Sequence, residues 1–278
     1  MSEPKLYVKT SDADEMEVTE CIPELEFLGE DSSPVILNNY QTNVAQDGQI
    51  IQATNYDKTV VNANFLFNFR DWYDFKLIKH DIYRLFQPRK LLRIRTDAEP
   101  AIVKYVLPAS FDIKPISDGA NDATFTVPFE NPSGYKYSLL RSDSLYTFDE
   151  DGWQFGMNLP SEDLVYTHSE PTFKIYNASD IKIDPYYQNH DFVIKLNFEG
   201  QSITITNKTT NTSWSYNKPA KKADNIVLNK LSTTLNGEPA SVNTDYGNLT
   251  LEPGWNEIQV SGATDFQITF SFPFIYLG

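Results

Sequence analysis

A hydrophobic period of two recurs at five places along this chain, and each instance commits its segment to an extended strand with one apolar face. In residues 60–69, Val61, Ala63, Phe65, Phe67 and Phe69 share one side, while Asn62, Asn64 and Asn68 share the other. Residues 123–129 set Phe125, Val127 and Phe129 against Thr124 and Thr126. Residues 191–198 align Phe192, Ile194, Leu196 and Phe198, and residues 202–206 alternate Ile203 and Ile205 with hydroxyl side chains. Residues 265–272 align Phe266, Ile268, Phe270 and Phe272 against Asp265, Gln267, Thr269 and Ser271. Such half-buried strands imply antiparallel sheets. Aromatic residues make up 14% of the chain, enough to fill a core between such sheets.

Turn chemistry punctuates these runs. Asp47-Gly48 and Asn236-Gly237 are tight-turn pairs, and Asn207 to Asn211 reads as a hairpin loop. In Glu252-Pro253-Gly254-Trp255, Pro then Gly suits a type II turn. One segment has a different period. Between residues 71 and 86, Trp72, Phe75, Ile78, Ile82 and Leu85 recur every three or four positions. The spacing predicts an amphipathic helix capped by Asp71 and stopped by Pro88.

Irregular sequence begins near residue 135, and the expected boundary lies there. An N-terminal domain then covers residues 1–135 and carries the helix at 71–86. A second, residues 136–278, carries strands at 172–176, 190–198, 202–206, 212–216, 226–231, 248–251, 257–260 and 265–276. Short strands at that spacing imply an antiparallel sandwich.

The formal net charge is −15. Affinity for nucleic acid rests on Lys and Arg, so direct gripping of DNA or RNA is disfavoured. Residues 1–33 hold ten carboxylates and two lysines, which reads as a solvated acidic arm or, more sharply, as an acidic face lining a shared assembly surface. Cys21 is the one cysteine, so no intramolecular disulfide is available, and a reducing compartment fits. A small buried apolar role is expected for Cys21. The first residues carry no secretory pattern, and no apolar run is long enough for a membrane-spanning helix.

No motif announces catalysis. The chain has no G-x-S-x-G elbow, no phosphate-binding P-loop and no G-x-G-x-x-G. His80, His168 and His190 are isolated from one another and from Cys21 in sequence, which gives zinc little support. Asp149-Glu150-Asp151-Gly152 lacks the spaced ligands of a calcium loop. No catalytic, cofactor-binding or metal-binding residue is therefore expected. Trp153, Trp214 and Trp255 could offer stacking surfaces to a sugar, although large rings more often fill a core or an interface.

The run from Asp71 to Phe86, with its acid and aromatic start and its Ile82-Tyr83-Arg84-Leu85-Phe86 end, resembles the helix of siphophage distal tail proteins. The Asp47-Gly48 turn before it is similar to that family. So is the passage 249–277, with its Leu-Thr-Leu-Glu-Pro-Gly-Trp-Asn-Glu start and Phe-Pro-Phe-Ile-Tyr-Leu close. The resemblance implies a mainly β protein. Its N-terminal part would be a barrel-like, tail-tube-related domain with one helix. Its C-terminal part would be a galectin-like antiparallel β-sandwich. It also implies a homo-hexameric ring, joined partly by an extended hairpin or belt, at the tip of the virion tail. That ring would be assembled in the host bacterial cytoplasm. Implied partners are the tail tube protein, a tail-associated or tail fibre protein and, in many phages, a receptor-binding protein, with DNA passing through the ring. A carbohydrate-binding module acting through the second domain is the rival reading.

Overall fold

The structure is a computed structural model that describes residues 3–45, 47–144 and 152–278. The chain divides into two compact units, Met1–Lys136 with Leu277–Gly278, and Tyr137–Tyr276.

The first unit contains β1 (Leu6–Thr10), β2 (Met16–Glu17), α1 (Val18–Cys21), β3 (Leu25–Asp31), β4 (Val35–Thr42), β5 (Gln49–Asp57) and β6 (Thr59–Asn68). Then follow α2 (Trp72–Phe86), β7 (Leu92–Thr96), β8 (Ile102–Pro108), β9 (Lys114–Pro115) and β10 (Asp122–Asn131). Seven strands bond in the order β2-β1-β7-β8-β10-β6-β3. The inward residues of β1, Leu6 and Val8, and of β3, Leu25 and Phe27, belong to one core cluster. The sheet therefore wraps around a single interior. Strand β6 is its spine, because the alternation in residues 60–69 buries Val61, Ala63, Phe65, Phe67 and Phe69 and exposes Val60.

Helix α2 covers that interior. Phe75, Ile78, Ile82 and Phe86 are buried, and Phe65 meets Phe86 at 5.2 Å between ring centroids. Each such burial contributes roughly 1.5–3 kcal/mol. The Asp71 carboxylate accepts from the backbone N–H groups of Tyr73 and Asp74, 2.8 and 2.9 Å away, which starts the helix at the residue the spacing predicts.

The second unit follows the linking strand β11 (Tyr135–Arg141). It contains β12 (Thr167–His168), β13 (Thr172–Asn177), β14 (Val193–Glu199), β15 (Ile203–Asn207), β16 (Thr212–Tyr216), β17 (Ile226–Asn229), β18 (Ser232–Leu235) and β19 (Glu238–Pro239). It ends with β20 (Gly254–Ser261), β21 (Asp265–Ser271) and β22 (Pro273–Leu277). One sheet runs β12-β21-β14-β17-β18-β19, and a second runs β13-β20-β15-β16. Rings from the two sheets meet, with Phe173 of β13 6.0 Å from Phe270 of β21 and Phe198 of β14 6.1 Å from Tyr216 of β16. That is a sandwich with an aromatic core.

Three strand expectations change. Residues 248–251 form isolated bridges rather than a strand. Leu249, Thr250 and Leu251 are all buried, which no two-faced strand permits. Leu251 pairs with the Ile183 backbone, and side chains satisfy other groups, since Asn207 donates to the Thr250 carbonyl at 2.7 Å and Asn177 to the Leu251 carbonyl at 3.2 Å. The run 265–276 breaks into β21 and β22 at Pro273, which has no N–H to continue a ladder. The strand expected from residue 190 starts at Val193.

The N-terminal 33 residues are also not a solvated arm. They supply β1, β2, α1 and β3, and several of their carboxylates pair with cations. Glu17 pairs with Lys5 at 2.8 Å, Asp12 with Lys90, and Glu30 with the buried Lys104. Glu15 takes Arg93 at 2.8 Å and Arg95 at 2.6 Å. Partial burial pushes the Glu15 carboxyl up, but hydrogen bonds from Arg95 and Arg93, with their charge, outweigh it and hold its pKa below the ordinary value. Cys21 is exposed rather than buried, on the one-turn helix α1.

Candidate assembly interface

Residues 35–57 contain no Lys, Arg or Glu, and their only charges are Asp47 and Asp57. The segment folds into the hairpin β4–β5, a two-stranded sheet that no third strand joins among the described residues. The register runs from Val35 opposite Asp57 to Thr42 opposite Gln49, with one irregularity between Asn39 and Tyr40. β-branched residues favour the strands, and Gly48, at φ +84°, serves the closing loop where a Cβ is disfavoured. Cross-strand bonds from Thr54 to Asn38 (2.9 Å) and from Gln52 to Gln41 (3.1 Å) pin the pairing.

Every residue of β4 is exposed. Val35, Ile36, Leu37, Tyr40, Ile50 and Ile51 all stand in solvent, Ile51 at 68% exposure. An isolated hairpin of this kind is marginal in water. Its long apolar strands also leave unpaired edges, which proteins ordinarily cover. Its base is firmly held. Tyr56 meets Tyr135 edge-on at 5.7 Å, and Lys58 pairs with Glu130 at 3.0 Å. Gly134, at φ +69°, lies so close to Asp57 that a Cβ would come within 2.2 Å of its carbonyl oxygen. The first unit thus presents a rigidly rooted apolar projection whose own fold leaves it uncovered.

Strand reasoning missed the two arms of this hairpin and found only its Asp47-Gly48 turn. Val35-Ile36-Leu37 and Ile50-Ile51 are contiguous apolar runs, so no period of two appears. Apolar and polar residues cluster along each arm and fall on both faces, so no alternation emerges.

The other residues singled out by type do not converge. His80 is exposed on α2. His168 stacks on Phe173 at 4.1 Å. His190 is buried and accepts the Asp184 N–H at Nδ1, 3.1 Å away, and burial pushes its pKa down despite the Asp184 charge. Among the described residues no group of three His, Cys, Asp or Glu side chains could hold a metal. Asp149, Glu150 and Asp151 lie outside the described residues. Trp214 is buried at 1% exposure, Trp153 is half-buried, and Trp255 is exposed. Among the described residues no helix is long and apolar enough to cross a membrane.

Residues 12–131, which include the hairpin and α2, match the family model described as phage tail protein RIFT-related domain. The N-terminal unit is similar to that phage tail domain over most of its length. The fold of the whole chain is that of the SPP1 Dit (gp 19.1) protein, a solved structure described as a paradigm of the hub adsorption apparatus of phages infecting Gram-positive bacteria. That likeness has a TM-score of 0.70 at 10% identity and covers 97% of this chain and 99% of the other. A chain of the phage p2 baseplate in its activated conformation with Sr matches at a TM-score of 0.45 and 10% identity, over 97% and 98% of the two chains. No curated protein sequence matches. Within the matched residues, the hairpin is the element whose strand β4 is exposed along its whole length.

Proposed function

We propose that this chain is a structural, non-enzymatic distal tail subunit of a siphophage. Its copies close a homo-hexameric ring through the β4–β5 hairpin of the RIFT-related domain. The ring acts as a hub between the tail tube and the tail tip or baseplate, in contact with the tail tube protein, a tail-associated or tail fibre protein and a receptor-binding protein. The second unit is a galectin-like sandwich within that hub. The observation that carries the proposal is the largely exposed, nearly uncharged hairpin within the residues that match the phage tail family model. Ring closure uses one heterologous contact repeated around an axis, and a projecting arm provides such a contact. The number six follows from the resemblance to distal tail proteins. A chain of net charge −15 repels phosphate, which supports DNA passing through the ring without adhering.

The test is to excise residues 35–57 and join the flanks with a two-residue turn, since Val35 and Asp57 are paired. Light scattering is expected to find a hexamer for the full chain and a folded monomer for the excised one. A ring of unchanged mass after excision, or a full chain that is monomeric at every concentration and forms no rings on grids, overturns the proposal.

A further inference from the structure

We propose that loop 184–190 of the second unit is a pH-sensitive clasp, held shut by neutral His190 and opened when its imidazole takes a proton. The two ends of the loop grip each other. The His190 N–H donates to the Asp184 carbonyl at 3.3 Å, and the Asp184 N–H donates to His190 Nδ1 at 3.1 Å. Inside the loop, the Asp184 carboxylate accepts the N–H groups of Tyr186 and Tyr187 at 3.0 and 2.9 Å. The Asp184 carbonyl also accepts the Gln188 N–H at 3.3 Å. Asp184 therefore takes part in every one of these bonds, and His190 is the side chain that anchors its backbone.

What the clasp holds is a pair of aromatic rings. Tyr186 and Tyr187 meet edge-on at 4.7 Å and stand 57% and 79% exposed. Rings that face solvent draw little support from a core, so the loop backbone fixes where they point. The flanks are anchored independently. Ile183 bridges Leu251 on one side, and Phe192 is fully buried on the other. An opening between such anchors is local and leaves the sandwich intact.

An imidazole nitrogen that accepts an N–H carries no proton of its own, so the closed loop requires the neutral ring protonated at Nε2. A proton on Nδ1 sets a second donor against the Asp184 N–H and cancels that bond. It also places a positive ring beside the Asp184 carboxylate, a stronger partner for it than the tyrosine amides. The carboxylate thus has two alternative positions, on the amides or on the imidazolium. The charges facing the ring are Asp184, which favours its proton, and Lys230, which opposes it and is tied to Asn189 at 2.8 Å; Lys182 presents its backbone. Asp191, next along the chain, is engaged by Arg141. Burial outweighs the Asp184 charge and holds the pKa of His190 below the ordinary 6.5. The closed loop is therefore favoured above pH 6.5 and gives way as pH falls through the lower folded value.

The experiment is hydrogen exchange read by mass spectrometry on the full-length chain. It compares the peptide over 184–190 with one from β14 at about pH 7.5 and about pH 5, each rate corrected for the intrinsic effect of pH. Both conditions lie above the range in which carboxylates take protons. Protection of the loop is expected to fall about tenfold at the lower pH, the weight of one hydrogen bond, while β14 stays protected. In His190→Asn the side-chain oxygen replaces Nδ1 as acceptor and takes no proton, so the loop is expected to stay shut at both pH values. In His190→Phe the acceptor is gone, and the loop is expected to be open at both. Loop protection in the unmutated chain that is the same at the two pH values overturns the proposal without any variant. An equal fall in His190→Asn, or in β14, overturns it too. Every residue involved lies in the second unit, so the outcome does not depend on whether copies form a ring.

Discussion

Gly134 sits where a side chain has no room. Its φ of +69° and the 2.2 Å approach of a built Cβ to the Asp57 carbonyl oxygen act together. Gly134→Ala is expected to destabilise the first unit by roughly 1–3 kcal/mol, read by chemical denaturation. Asn256 makes a similar demand in the second unit. Its amide donates to the carbonyls of Glu252 and Gly254 and accepts from the buried Asn207 at 3.0 Å, so Asn256→Ala leaves buried backbone groups and a buried amide without partners. The expected cost is roughly 1–3 kcal/mol, and the same denaturation curve measures it. Neither role was legible in sequence. Asn207 reads as a loop residue and Asn256 falls between expected strands, because a buried amide network is built from residues 49 positions apart. Trp214 and Trp255 show the same blindness. Both sit among polar neighbours in sequence, and only sheet geometry separates the buried ring from the exposed one.

At the scale of elements, sequence spoke clearly wherever burial was one-sided. Strand β6 and helix α2 each carry an apolar stripe of the correct period, and both fold where the spacing puts them. The cap of α2 follows from the same reading. Asp71→Ala is expected to cost about 1 kcal/mol, with thermal unfolding monitored at a helical wavelength as the check. Sequence failed wherever burial was two-sided or withheld. Residues 248–251 are buried on both sides and bonded by side chains, so their apolar pattern resembles a strand without being one. The β4–β5 hairpin carries apolar residues on both faces in short runs, Val35-Ile36-Leu37 and Ile50-Ile51, so its pattern shows no period of two. The acidic N-terminus misled for another reason. Charge runs usually mark solvated chain, but here cations from β7 and β8, Arg93, Arg95 and Lys104, lie across from them.

For the whole molecule, those ion pairs set the response to acid. Glu15 and Glu17 have carboxyls held below their ordinary value of 4.5, and Asp143 is held below 3.8. Groups depressed in the folded state stabilise it above their ordinary pKa, and that contribution is lost as pH falls through the lower folded values. Stability is therefore expected to decline below about pH 4.5. Glu15→Gln is expected to lower stability at pH 7 and flatten the acid limb, which denaturation across pH 2 to 7 would reveal. The division of the chain carries a further consequence. The first unit gives up the chain at Lys136 and takes it back at Leu277, so the second unit is an insertion into the first. Closing a longer insertion costs only about 0.6 kcal/mol per doubling of length. Changes of length within the second unit are therefore expected to cost the first unit, with the root of its hairpin, little stability.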